Sequence, residues 1–517
     1  MTISTVKSIL IKISLIFQKK SGGKMNPFDE SLSKEIEIID WYPDKSLEIP
    51  IYKQIVEYIK SKVINGDWVL NSKLPSQRKL AELFNVNRST IVMAMDELCS
   101  YGILKASSGG GTRVASNTWS LLMSNKTPDW GEYIDSGIFK ANKPMIQTIN
   151  KLEYNDEYIR LGTGELSPKL LPNDMMKEIF STLSEKLTSL NYLEPLGLFD
   201  LRKIICDRLK LRGINVSPSC VLITSGSLQA LHLLSVCILK KGSIVYTENL
   251  SYIQSLKVFQ SAGMNLCGIP MDKEGIEYFK IPMKNNSIES SLLYTIPTFQ
   301  NPTGNVMSEE RRKNLYDYCK KNMLPIIEDD VYGELWFDEV PPKPIKAMDK
   351  NGMIIYLGSI SKSLAPGFRI GWLVGPESVV QRLGDVKMQM DYGASSISQY
   401  VILELLSSGR YDEYLNKTRI QLKKRRDLMI DILKNDFKDI AEWNIPKGGF
   451  YIWVTFNNKI NTEKLFQKAV ENKVLINPGS IYGCNNKQSI RLSYSYADEE
   501  DIKKGLSLVS KLVKELT

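Results

Sequence analysis

Histidine is almost missing: His232 is the only one in 517 residues. That nearly removes chemistry built on histidine metal ligands, catalytic triads or imidazole relays, and leaves lysine, carboxylates, tyrosine or a bound cofactor to do the work. The seven cysteines (99, 206, 220, 237, 267, 319 and 484) are odd in number and include no CxxC pair. This pattern argues against a disulfide framework or a structural zinc site and fits a reducing compartment. Long apolar runs are also scarce. Residues 9–17 are apolar but broken by Lys12 and Ser14, well short of the roughly 20 residues that a spanning helix needs. Gln18-Lys19-Lys20 follows instead of a small-residue cleavage site, so no signal peptide is read there and a cytoplasmic location is expected. Residues 1–24 are read as a loose tail, with an upstream start as its source, because a more ordinary sequence begins at Met25.

What is present is enough for more than one core. The chain is about three typical domains long, with 43% hydrophobic and 24% charged residues. Its 8 Trp, 24 Tyr and 15 Phe belong to packed structure rather than to disorder. The net charge of +9 is unevenly placed. Residues 1–24 carry +5, residues 25–48 carry −5 and residues 49–116 carry +4, while the remaining 401 residues carry only +5. The basic character is therefore N-terminal, which keeps nucleic acid in view.

Residues 49–116 read as a compact helical module. Pro50 opens a pattern of Ile51, Ile55, Ile59 and Val63 that Gly66 ends. Ser76 can cap a second helix with Leu80, Leu83 and Phe84 inward. Asn87 can cap a third, whose buried face is Ile91, Ala94, Met95 and Leu98, before Gly102 stops it. Arg88, Ser89 and Thr90 are then left at its exposed N-terminal end, where short polar and guanidinium groups suit insertion into a major groove. Ile103-Leu104-Lys105 and Thr112-Arg113-Val114 flank a Ser/Gly tip, giving a hairpin after three helices. This order predicts a winged helix. A small helical adaptor with solvated charges is the bland alternative; the polar start of the third helix and the basic residues on helix and wing weigh against it.

Leu74-Pro75-Ser76-Gln77-Arg78-Lys79-Leu80-Ala81, Asn87-Arg88-Ser89-Thr90-Ile91 and Gly109-Gly110-Gly111-Thr112-Arg113-Val114 resemble, in order and spacing, the DNA-binding domain of GntR-type bacterial regulators. The resemblance implies double-stranded DNA as a partner, with Arg78, Arg88, Ser89, Thr90 and Arg113 as contacts.

Residues 117–157 mix Ser, Asn, Lys and Pro without sustained periodicity and read as a linker. Beyond them, Val221-Leu222-Ile223, Ile244-Val245-Tyr246, Leu292-Leu293-Tyr294, Pro325-Ile326-Ile327 and Ile354-Ile355-Tyr356 look like buried strands separated by helical stretches. The expected fold is α/β with a mostly parallel sheet. Ligands bind such sheets beyond the strand ends, and several of these strands end in polar clusters. Thr224-Ser225-Gly226-Ser227 precedes a helix from about Leu228, offering amides and hydroxyls to a phosphate. Asn301-Pro302-Thr303-Gly304 and Glu328-Asp329-Asp330-Val331-Tyr332 follow two others, and Ser359-Ile360-Ser361-Lys362-Ser363 precedes Arg369 by a short span. Each alone is turn chemistry, a cap or a surface charge. Together they supply what pyridoxal 5′-phosphate needs: a lysine for a Schiff base, an acid for the pyridine nitrogen, a donor for the ring oxygen and a phosphate cradle.

Residues 159–517 resemble fold-type I aminotransferases of class I/II. The resemblance implies Lys362 as the Schiff-base lysine, Asp329 at the pyridine nitrogen, and Asn301 and Tyr332 at the ring oxygen. It also implies Gly226, Ser227, Ser359, Ser361 and Arg369 at the phosphate, with Tyr252 stacked on the ring and counted among the catalytic residues. Leu228 stands beside the cradle where relatives often carry glutamine; a backbone contact would survive that change. Tyr192, in Tyr192-Leu193-Glu194-Pro195-Leu196-Gly197, matches a tyrosine that reaches a neighbouring subunit's phosphate. Arg491 matches the arginine that forks a substrate carboxylate.

The two halves together resemble the MocR/GabR subfamily of bacterial regulators. The implied plan is a tail and lead-in (1–48), a winged helix-turn-helix (49–116), a linker (117–157) and an aminotransferase-like domain. The last divides into a large part (about 158–390) and a small one (about 391–517). The implied function is transcriptional regulation by a homodimer that senses pyridoxal phosphate, or an amino acid or amine effector, through aldimine exchange at Lys362. The alternative is a pyridoxal-phosphate-dependent aminotransferase with a secondary DNA-binding module; full or half transamination is compatible with either.

Overall fold

The computed structural model describes residues 41–517 apart from 65–66, 70, 108–110, 116–132, 134–135, 139–141, 188, 283–289 and 484–485. The tail 1–24, the tip of the wing and much of the expected linker lie outside the described residues. The chain divides after Ser136 into two compact units.

In the smaller unit, helices α1 (Ile51–Ile64), α2 (Gln77–Phe84) and α3 (Arg88–Ser100) precede strands β1 (Leu104–Ser107) and β2 (Gly111–Val114). The strands pair antiparallel with Leu104 opposite Val114 and Ser107 opposite Gly111. The core is the one the periodicity predicts, Ile55, Ile59, Leu80, Phe84, Ile91, Ala94, Met95 and Leu98, although Leu83 is only partly buried. The Ser76 hydroxyl caps α2 by accepting from the Lys79 N–H at 3.2 Å. Asn87 occupies the cap position of α3 but its side chain makes no capping bond. The unit also begins earlier than residue 49. Trp41 stacks on Tyr58 with centroids 4.9 Å apart and rings 12° from parallel, so part of the lead-in is packed structure. A lone tryptophan among acids carries no periodic signal.

In the larger unit, helix α4 (Pro144–Leu152) lies where a structureless linker is expected. Its Ile149 is buried in the main core, and nine residues are too short for the pattern to rise above the surrounding polar sequence. A seven-stranded sheet follows: β3 (Val221–Thr224), then helix α5 (Ser227–Cys237), β4 (Ile244–Glu248), β5 (Asn265–Ile269), β6 (Ser291–Thr295), β7 (Ile326–Asp329), β8 (Ile354–Ser359) and β9 (Gly371–Val374). The spatial order is β3-β9-β8-β7-β6-β4-β5. Only β9 runs against its neighbours, so the sheet is mostly parallel as expected. All five strands anticipated from the sequence are in it.

A second sheet holds β10 (Ala441–Trp443), β11 (Tyr451–Phe456), β12 (Asn477–Pro478) and β13 (Ser489–Ser493) in the order β10-β11-β13-β12. Residues Ile159–Arg160 pair not with the large sheet but with Val474–Leu475. The start of the expected large part thus joins the carboxyl-terminal part, a pairing across more than three hundred residues that no local pattern announces.

Candidate functional site

In the smaller unit the polar groups named from the sequence sit outside the core. Arg88 and Ser89 are exposed at the start of α3, and Thr90 is partly so. Arg78 is also exposed, 3.6 Å from Glu82, a solvated pair worth little. Arg113 on β2 lies opposite Lys105, and its Nη1 donates to the Asn71 carbonyl at 2.9 Å. That bond braces the guanidinium at the base of the wing.

In the larger unit, a cavity of about 350 Å³ opens beyond the ends of β3 and β7, a size ordinary for a small-molecule site. The sheet registers put its parts there. Asp329 ends β7 opposite Leu357 of β8, and Gly226 ends the turn after β3 with a φ of 90°. A Cβ on Gly226 would come within 2.7 Å of the Arg369 guanidinium, so glycine is required both by the backbone and by the arginine above it. Ser227 then begins α5 with its N-terminal amides free of intrahelical partners. Arg369 adopts a left-handed φ of 54° and donates to the Ser225 carbonyl at 2.6 Å.

Gly226, Ser227, Leu228, Tyr252, Asn301, Asp329, Tyr332, Ser361, Lys362, Arg369 and Arg491 all line this one cavity. Two expected residues do not. The Ser359 hydroxyl donates to the Ile370 carbonyl at 3.2 Å and accepts from the Ser361 N–H at 3.0 Å; it is consumed by the local turn and lies outside the cavity. Tyr192 is 78% exposed, its ring 5.2 Å from that of Tyr392, away from the cavity of its own chain.

Asp329 is 4% exposed. Its Oδ2 accepts from the Tyr294 hydroxyl at 2.7 Å, whereas Oδ1 is buried without a partner. Burial pushes this carboxyl up to about 6, against the lowering pull of the Tyr294 hydrogen bond. Burial likewise pushes the Tyr252 phenol up to about 12. The Tyr332 hydroxyl is 2.9 Å from that of Tyr451. Lys362 Nζ donates to the Gly164 carbonyl at 2.8 Å.

Arg491, on β13, donates from Nη1 to Asn301 Oδ1 at 2.8 Å and from Nη2 to the Gly162 carbonyl at 2.5 Å. The rings of Tyr451 and Tyr482 lie 4.0 and 4.8 Å from its guanidinium carbon, and its Nε is buried without a partner. Two aromatic faces and one idle N–H make a cation held in place yet not saturated.

Sequence reasoning missed Glu153, Gly164, Tyr451, Asn477 and Tyr482, which also line the cavity. Glu153, just after α4, accepts from the Thr163 hydroxyl at 3.2 Å. Burial raises its carboxyl, offset by the Arg491 charge and the Thr163 bond. None of the five ends a strand of the large sheet, so no apolar run breaking into a polar turn marks them. The Gly448-Gly449 pair ahead of Tyr451 was the only available hint.

An exposed basic winged helix and a lysine–aspartate–arginine cavity at the strand ends of an α/β sheet define a DNA-binding module fused to an aminotransferase-type domain. Residues 51–114 match the family "Bacterial regulatory proteins, gntR family" and residues 156–509 match "Aminotransferase class I and II". The chain belongs to the MocR/GabR subfamily of GntR-type transcriptional regulators, in which these two families are joined. It is 49% identical over 476 residues to the uncharacterized HTH-type transcriptional regulator YisV of Bacillus subtilis, covering 92% of this chain and 98% of that protein. It is 38% identical over 447 residues to the HTH-type transcriptional regulator NorG of Staphylococcus aureus, covering 86% and 100%. Among solved structures, Pyrococcus horikoshii kynurenine aminotransferase in complex with PMP superposes with a TM-score of 0.71 at 32% identity, covering 75% of this chain and 98% of that one. LysN, the alpha-aminoadipate aminotransferase of Thermus thermophilus complexed with N-(5'-phosphopyridoxyl)-L-leucine, does so at 0.68 and 28%, covering 75% and 99%.

Proposed function

We propose that this protein is a homodimeric, DNA-binding transcriptional regulator whose larger unit binds pyridoxal phosphate and senses an amino compound with it. The observation that carries the reading is Asp329 Oδ1, a buried carboxylate oxygen without a partner in the same cavity as Lys362 and the Gly226–Arg369 cradle. A buried carboxylate that lacks a donor is costly, and a protonated ring nitrogen is the donor it lacks. Ser361 Oγ, also buried without a partner, supplies the hydroxyl that Ser359 does not.

Held there, pyridoxal phosphate supplies an aldehyde that condenses reversibly with an amine, either that of Lys362 or that of a free amino compound. The rest falls to the chain. Arg369, Ser361 and the amides of Gly226 and Ser227 would hold the phosphate. Asp329 would keep the ring nitrogen protonated, Tyr332 and Asn301 would donate to the ring oxygen, and Tyr252 would cover a ring face. Arg491 would take a carboxylate of the effector, exchanging its bonds to Asn301 and Gly162 for it. An effector shifts DNA affinity only by binding two conformations unequally, and this exchange of partners is one source of the inequality. The exposed Tyr192 is suited to reaching the partner subunit's phosphate. Arg88, Ser89, Thr90, Arg78 and Arg113 would contact DNA.

A metabolic aminotransferase remains the second reading, favoured by the complete set of cavity residues; the fused winged helix favours regulation. The test uses the full-length protein. Visible absorbance from a bound aldehyde, fixed by borohydride to Lys362, and retarded DNA whose affinity changes with an added amino acid are expected. Labelling of another lysine, or DNA binding without sequence preference, would sink the reading.

A further inference from the structure

Two acids that line the cavity, Glu153 and Glu165, have no partner in the ligand reading, and of these Glu165 is exposed while Glu153 is partly buried. Glu153 follows the last residue of α4, the helix that also brings Ile146, Ile149 and Asn150 to the cavity wall. Its Oε1 is tied to Thr163, and Thr163 sits between two residues already committed to the site. The Gly162 carbonyl holds Arg491 and the Gly164 carbonyl holds Lys362. Glu153 is therefore anchored on the same three-residue segment as the carboxylate fork and the reactive amine.

Charge then decides what it is for. The phosphate would face Arg369, the protonated ring nitrogen Asp329, and an effector's carboxylate Arg491. Each of these charges has an opposite; Glu165 is exposed and keeps its water, so the partly buried Glu153 is the acid left over. An amino acid with a neutral side chain would draw the Arg491 charge to its own carboxylate and leave Glu153 half-buried and uncompensated, which is unfavourable. A ligand bringing a second positive charge removes that cost. Ile146 and Ile149 on the same wall suit the methylenes of such a side chain.

We propose that Glu153 is a specificity-determining residue that selects amino acids whose aliphatic side chain ends in a second cationic group, a diamino or guanidino acid. The proposal rests on the cofactor-and-amine reading above. α4 thus forms a recognition wall as well as the first helix of the larger unit.

Spectral titration of the full-length, cofactor-loaded protein tests it, with thermal unfolding of the same samples as a second measure of binding. L-ornithine and L-lysine are compared with L-norvaline and L-norleucine, neutral chains of similar length, and with L-glutamate. A charge-assisted hydrogen bond predicts half-saturation at about 10- to 100-fold lower concentration for the cationic pair. In Glu153→Gln that ratio should fall close to one. In Glu153→Lys the preference should pass to L-glutamate, an inversion that damaged folding does not produce. Equal titration of cationic and neutral acids by the unaltered protein would overturn the proposal while leaving the sensing reading intact. So would a Glu153→Gln variant weakened equally toward all, which would make Glu153 a counter-ion of Arg491. Should no amino acid move the absorbance at all, the sensing reading fails and takes the proposal with it.

Discussion

In the winged-helix unit, Arg88 and Ser89 stand exposed at the start of α3, while Ile91, Ala94, Met95 and Leu98 close the core beneath them. In the larger unit, Arg491 is 4% exposed and is held by hydrogen bonds to Asn301 and Gly162 and by two aromatic contacts. The same guanidinium is placed under opposite conditions. Outside, it keeps its water and can be replaced without disturbing the fold, which suits a ligand as highly charged as DNA. Inside, it needs partners before any ligand arrives, so ligand binding must exchange contacts rather than add them. A surface that adds contacts reports occupancy; a buried site that exchanges them can also report a change of conformation.

The comparison is broken most severely at Lys362. Lys362→Ala should lose the covalent linkage to the cofactor completely, seen as loss of the visible band and of borohydride labelling, while the DNA-binding unit keeps its fold. Next is Arg491→Ala. Removing the guanidinium strands Asn301 Oδ1 and the Gly162 carbonyl, so the larger unit should lose about 2–3 kcal/mol in denaturant unfolding. The response to carboxylate-bearing amines should weaken by about 100-fold or more; an unchanged half-saturation would make Arg491 purely structural.

Asp329→Asn sharpens the comparison through pH. The Asp329 carboxyl is raised from 3.8 to about 6, so the cofactor-free folded state binds the proton more tightly than the unfolded one. Its stability should fall as pH rises across that window, by about 3 kcal/mol at the upper end. A side-chain amide does not titrate there, so the variant should gain on the unaltered protein as pH rises from about 4 to about 7, yet bind the cofactor more weakly. A difference that stays flat with pH would show that the Asp329 carboxyl is not raised in the folded protein. The smallest effect is expected outside. Arg88→Ala should change stability by less than about 0.5 kcal/mol and reduce the salt slope of DNA binding by about one unit.

Legibility followed the same division. The winged helix was readable almost to the residue because its core is local: periods of three and four, a serine cap and a glycine stop fix three short helices. In the larger unit, Asp329, Lys362 and Arg369 were readable because strand ends advertise themselves as apolar runs that break into polar turns. What escaped was what depends on distant pairing. Ile159–Arg160 finds Val474–Leu475, Trp41 finds Tyr58, and Glu153 and Tyr451 meet only because two parts of the chain close on one cavity. Ser359 shows the converse. Its position in the motif pointed to the phosphate, but a hydroxyl so close to free backbone groups was taken by the turn.

Arg369 holds a left-handed backbone that a side chain other than glycine adopts at a cost of about 1 kcal/mol. Drift toward a steadier fold would favour glycine at this position, and glycine would remove the guanidinium that covers Gly226. The constraint runs one way: Arg369 leaves no room for a side chain at Gly226, and the φ of 90° there would keep it glycine even without the arginine. A lineage that ceased to need the cofactor would be free to relax Arg369 alone. In a set of such chains, glycine should therefore persist at the turn while the arginine varies, and the arginine can be read as a record of whether the cavity is still in use.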